Sequence, residues 1–86
     1  MYNLIDDFIE EVESYGFETL YHEPKGGGGT IAFDPLSQNG EPLYAFEYLI
    51  EEAADAVFGD HEKFITRFTS PGMTMTIVVH YTDYYL

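Results

Sequence analysis

Residues 42–58 of this 86-residue chain read PLYAFEYLIEEAADAVF, and the groups able to do chemistry there are of one kind. Glu47, Glu51, Glu52 and Asp55 supply carboxylates, Tyr44 and Tyr48 supply phenols, and no lysine or arginine stands among them. At helical period, Tyr44, Tyr48, Glu51, Glu52 and Asp55 share one side, with Glu47 at its border. Asp6, Asp7, Glu10 and Glu11 form a second acidic set near the start. Such groups can move protons, hold a cation, or attract a basic macromolecular surface.

The first two uses find little support. No serine lies in a nucleophile-elbow context, and an antiparallel domain of this length rarely shapes a deep pocket, so no enzyme is expected. His22, His61 and His80 show no ligand spacing. His61 with Asp60 and Glu62, or Asp6 with Asp7 and Glu10, could gather a stray divalent ion. Neither set matches a zinc signature or an EF-hand loop, and no metal or cofactor is implied. Gly26 to Gly29 follow Lys25, the reverse of a phosphate loop, where the lysine comes last and a helix begins. Together with Pro24 they predict a flexible hairpin loop instead.

The third use fits the charge balance. There are 16 acidic residues against 3 basic ones, a net charge of −13. Nucleic acid and anionic membrane are poor direct partners for such a chain. A protein surface that normally holds nucleic acid is a better one. Rows such as Asp7 with Glu11, or Glu47 with Glu51 and Asp55, advance about 6 Å per step. Phosphates advance about 3.4 Å along one DNA strand. Charge density, rather than register, would therefore carry any imitation of nucleic acid. Tyr44 and Tyr48 suit an interface, since a rigid ring brings contact area at low entropic cost.

Composition bounds the scaffold. At 45 % hydrophobic and 17 % aromatic, the chain is too apolar for intrinsic disorder. The absence of cysteine excludes disulfides, thiolate metal sites and thiol catalysis. The start, MYNLIDDF, has neither a basic segment nor a long apolar run, so a signal peptide and a membrane span are not expected. The expected location is the cytoplasm, or a host's cytoplasm if the protein is phage-encoded.

Elements that could position these groups follow from periodicity. Leu4, Ile5, Phe8, Ile9, Val12 and Tyr15 predict a first helix, capped by Asn3 and closed by Gly16. Phe17 to Glu23 and Thr30 to Asp34 predict two strands. Residues 34–41 predict an irregular loop, and Pro42 suits the first turn of the next helix. That helix buries Leu43, Phe46, Ile50, Ala53, Ala54 and Val57, and ends at Gly59. Leu43 to Tyr48 can also be read as a strand after an Asn39-Gly40 turn, but the helical period spans the whole stretch. Lys63 to Thr69 alternates as a strand, with Lys63 and Arg67 on one side pairing with nearby carboxylates. Ser70 to Met73 predicts a type II turn, and Met73 to Tyr81 a clean strand with Met73 and Met75 as core filler. The expected fold is α+β over residues 1–86. Its order is α-β-β-α-β-β, a four-stranded antiparallel sheet of undetermined strand order with two helices on one face.

In size and composition the chain resembles small acidic inhibitors, among them phage DNA mimics, anti-CRISPR proteins and immunity proteins that block nuclease toxins. The resemblance rests on no motif and transfers no residue. It implies an inhibitor that blocks the basic nucleic-acid-binding surface of a partner such as a CRISPR effector or nuclease. Tyr44, Glu47, Tyr48, Glu51, Glu52, Asp55, Asp6, Asp7, Glu10 and Glu11 are the expected contact residues. The alternative is a non-enzymatic assembly subunit that binds through its sheet, its acidity serving solubility or salt adaptation. Homodimerisation is open under either.

Overall fold

A computed structural model describes residues 4–36, 43–70 and 76–84, without the side chain of Leu43. The elements run α1 (Leu4–Ser14), β1 (Glu18–Lys25), β2 (Gly28–Asp34), α2 (Leu43–Phe58), α3 (His61–Phe64), β3 (Ile65–Thr69) and β4 (Ile77–Thr82). The expected cap at Asn3, Pro42, the two turns at Asn39-Gly40 and Pro71-Gly72, and Met1, Met73 and Met75 lie outside the described residues.

Among the described residues the strands form one antiparallel sheet in the order β1-β2-β4-β3. The fold is α+β with the expected alternation of helix and hairpin. The hairpin β1-β2 lies on one side, and β4 returns against β2 rather than extending the sheet at β3's far edge. Alternate residues Ile31 and Phe33 of β2 and Ile77, Val79 and Tyr81 of β4 face a single core. Ile5, Phe8 and Val12 of α1 and Phe46, Ile50, Ala53 and Ala54 of α2 close it from the same side. Burial of these stripes, rather than local propensity, holds the helices, because α1 carries acid in its first turn but no base in its last.

Phenylalanine rings connect the layers. Phe8 meets Phe33 edge-on at 6.2 Å and Phe64 at 5.3 Å. Phe17 bridges Phe33 and Phe46 at 6.4 and 5.8 Å, and Phe64 stacks on Tyr81 at 5.2 Å. Each such pair contributes about 0.5–1.5 kcal/mol beyond its burial.

Two expectations need correction. Residues 24–29 are not a loop: Pro24 pairs with Gly29 and Lys25 with Gly28, leaving Gly26-Gly27 as the turn. Proline is tolerated because β1 is an edge strand. The glycines of β2 stay extended because β4 lies close. A Cβ on Gly28 would strike the Tyr81 carbonyl oxygen, and one on Gly29 would meet the Tyr81 hydroxyl. Second, Lys63 and Phe64 belong to the helical turn α3, which Asp60 caps by accepting the Glu62 N–H at 3.0 Å. Lys63 and Arg67 therefore do not share a strand face. The expected helix does cover Leu43–Tyr48, and the rival strand reading falls away. The predicted stops at Gly16 and Gly59 hold, with φ of 96° and 87°.

Gly28→Ala should cost about 1–3 kcal/mol through the clash with β4. Gly26→Ala, whose Cβ meets nothing within 4 Å, should stay within about 0.5 kcal/mol of the parent. Urea midpoints at unchanged m-value measure both.

Candidate functional site

The two helices bring the acidic sets together only in part. Tyr15, at the end of α1, donates its hydroxyl to Glu11 at 3.4 Å and lies within the field of Glu52 of α2. Burial and these two carboxylates raise the Tyr15 pKa. Leu4, Asp7, Glu10 and Glu11 line a shallow groove against Ala56 and Val57. The helices are thus antiparallel neighbours; Asp7, Glu10 and Glu11 line the groove between them, and Glu52 of α2 lies toward Tyr15. No lysine or arginine lines that groove among the described residues.

Asp6 does not line this groove. It lies toward the sheet, where its charge acts on His22 of β1 and Tyr81 of β4. Glu13 lies on the same flank and accepts the Thr19 hydroxyl at 3.1 Å. A helix advances 100° per residue, so neighbours Asp6 and Asp7 diverge onto opposite sides of the buried stripe.

Along α2, Tyr44 and Tyr48 stand in solvent, 74 % and 59 % exposed. The nearby Glu52 carboxylate raises the Tyr48 pKa. Glu47 is half-buried, and burial, then the nearby Glu51 charge, raise its pKa. The N-terminal half of α2 borders an open groove of about 690 Å³, with Tyr44, Phe46, Glu47, Tyr48 and Glu51 among the residues that line it.

Asp55 has a local task that periodicity alone did not reveal. Its carboxylate accepts the backbone N–H of His61 at 2.7 Å, and the His61 Nδ1 lies 2.9 and 3.1 Å from its two oxygens. The backbone hydrogen bond is the main cause of Asp55's lowered pKa. The hydrogen bond to Asp55 raises that of His61, with help from the charges of Asp55, Glu51 and Glu62. His61 Nε2 also lies 3.8 Å from Glu51. Asp55 therefore clips α2 to α3 across Gly59, and its oxygens are committed. The signal was Asp55 and His61 six residues apart around a helix-ending glycine, but only the turn into α3 gives that spacing meaning.

His22 and His80 lie elsewhere and behave oppositely. His22 Nε2 sits 2.6 Å from the Tyr81 hydroxyl, and burial lowers its pKa against the pull of Asp6. His80 lies between Thr30 and Thr69 at 3.4 and 3.3 Å, and burial, Arg67 and Lys25 lower it too. By register Arg67, His80 and Lys25 lie on the sheet face away from the core, and Glu23 lies there with them. Among the described residues, no three His, Asp or Glu side chains are arranged to hold a metal ion, and no helix is long and apolar enough to cross a membrane.

No family model, curated protein or solved structure matches this chain.

NMR titration should place His61 above the ordinary value of about 6.5 and both His22 and His80 below it. Asp55→Asn should bring His61 down. The signs follow by linkage. A raised His61 adds stability that is complete below pH ~6.5 and lost as pH rises through its folded pKa. The lowered His22 and His80 do the reverse: as pH falls below ~6.5 the unfolded chain takes up protons that the folded chain refuses, and stability declines.

Proposed function

We propose that this protein is a small acidic inhibitor whose helical layer occupies the basic nucleic-acid-binding surface of a partner and excludes DNA or RNA. The observation that carries it is the groove between two adjacent helices lined by Asp7, Glu10 and Glu11, with Glu52 toward Tyr15 and with Tyr44 and Tyr48 exposed on α2. Like charges held side by side on a folded scaffold cost free energy unless something positive is to sit on them. Two solvent-facing tyrosines beside them supply the aromatic anchors that protein interfaces favour. Partners with this chemistry include nucleases and CRISPR effectors, whose grooves are lined with lysine and arginine to bind phosphate. The role is binding rather than catalysis.

Asp55 and Asp6 drop to secondary importance in this proposal. Asp55 is engaged with His61, and Asp6 lies toward the sheet. The surface that remains is Asp7, Glu10, Glu11, Tyr44, Glu47, Tyr48, Glu51 and Glu52.

One feature favours the second reading, an assembly subunit that binds through its sheet. Leu20 and Tyr21, on the edge strand β1, are 47 % and 44 % exposed. Association there would bury apolar surface and a strand edge, and would depend little on salt.

Mixed with candidate nucleases or CRISPR effectors, the protein should compete with DNA, and competition should weaken as salt rises. Asp7→Asn, Glu10→Gln, Glu11→Gln and Glu52→Gln combined should lower affinity at least about tenfold, at about 0.5–1 kcal/mol per rim charge. Glu18→Gln with Glu23→Gln, on β1, should change it little. Salt-independent binding lost on Leu20→Ser and Tyr21→Ser instead would favour the assembly subunit.

A further inference from the structure

We propose that His22 and Tyr81 form an acid-released latch that fastens the edge strand β1, across β2, to β4. The latch is independent of the inhibitor reading and lies in a different part of the molecule. By register His22 is opposite Ile31, while Tyr81 is opposite Gly29. The two are therefore diagonal partners with a whole strand between them. Gly29 makes the reach possible, because a Cβ there would come within 2.6 Å of the Tyr81 hydroxyl and 2.8 Å of its Cζ. The Tyr81 ring crosses β2 over that gap and brings its hydroxyl 2.6 Å from His22 Nε2. β1 is an edge strand with a register shift between Thr19 and Tyr21. Its ladder to β2 is interrupted there, and the latch adds an attachment that the ladder does not supply.

The buried hydroxyl decides which form of the histidine closes the latch. Tyr81 is 6 % exposed and stacks on Phe64 at 5.2 Å. Among the described residues its hydroxyl has no acceptor besides His22. It therefore donates to Nε2, and the neutral imidazole carries its own proton on Nδ1. When His22 gains a second proton, Nε2 becomes a donor. Tyr81 can then only accept, and its own proton is left without a partner in the core.

The surrounding groups decide where the charged ring turns. From α1, Asp6 acts on both His22 and Tyr81, while Glu13 is engaged with the Thr19 hydroxyl at 3.1 Å. Tyr21, Glu23, Lys25 and His80 fall on the other face of the sheet by register. β2 presents only Ile31 and Gly29 on this face beside the pair. Past β4, Asp83 acts on Tyr81. Asp6 is thus the carboxylate that draws a released imidazolium. Burial outweighs that pull and keeps His22 neutral while the latch is closed. Opening β1 returns the ring to water and to an ordinary value of about 6.5, so opening takes up a proton and becomes easier as pH falls through that value.

Nitrogen NMR of His22 and amide hydrogen exchange along β1 test the latch at about pH 7.5 and about pH 5.5, on either side of the ordinary histidine value. At the higher pH the nitrogen shifts should show the Nδ1–H tautomer. Protection of the β1 amides, corrected for intrinsic exchange, should fall roughly three- to tenfold at the lower pH. Tyr81→Phe keeps the stacked ring and removes the hydroxyl; it should raise the His22 titration midpoint and flatten the acid loss. His22→Gln, which accepts from Tyr81 at either pH, should keep β1 protected and flatten the loss as well. Asp6→Asn should lower the midpoint. An Nε2–H tautomer in the parent protein overturns the latch, and that reading stands even where a variant fails to fold. So does a His22 midpoint unmoved by Tyr81→Phe, or an acid loss that persists in full in His22→Gln.

Discussion

Packing around Phe8 is the contact on which the rest depends. Its ring lies fully buried between β2, α3 and the end of α2, touching Phe33, Phe64 and Phe58. A ring so placed is worth about 3–5 kcal/mol against alanine, a large share of the roughly 5–15 kcal/mol that stabilises a small domain. It fixes α1 against the sheet. Phe46, Ile50, Ala53 and Ala54 do the same for α2. The acidic outer faces are then adjacent because their inner faces are anchored, and not because they attract one another.

That arrangement places two opposed forces in one layer. Burial draws the helices together, while Asp7, Glu10 and Glu11 crowd the side of α1 that borders α2. Burial wins because apolar contact is short-ranged and dry, whereas the carboxylates face solvent and are screened. On the sheet face away from the core, burial and then the Arg67 and Lys25 charges lower the His80 pKa.

Much of the fold could be read from periodicity. Six apolar residues at helical spacing defined α1, and the alternation of Ile77, Val79 and Tyr81 defined β4. What escaped was set by contacts distant in sequence. Gly28 and Gly29 look like loop residues until β4, some fifty positions later, comes to lie against them and requires their missing side chains. Lys63 and Phe64 alternate with the strand that follows, yet Asp60 caps them into a turn. Strand order was undetermined because both hairpins are local, and nothing local says which strand of the second meets the first. For the candidate site, the wheel of α2 separated buried Phe46, Ile50, Ala53 and Ala54 from exposed Tyr44, Tyr48, Glu52 and Asp55, with Val57 and Glu51 both partly buried. It could not show that Asp55 is taken by His61, nor that Asp6 and Asp7 part company, because both depend on what packs beside the helix.

The central claim is that a core of ordinary strength holds mutually repelling carboxylates in one layer, ready for a positive surface. Thermal unfolding followed across ionic strength tests this most directly. The account predicts a cooperative melt even in dilute buffer near 10 mM salt. Tm should then rise by several degrees toward about 150 mM as screening relieves the helical layer. A Tm indifferent to salt would show that the carboxylates do not strain the fold. A chain already unfolded in dilute buffer would show that salt, and not a partner, is what its acidity serves.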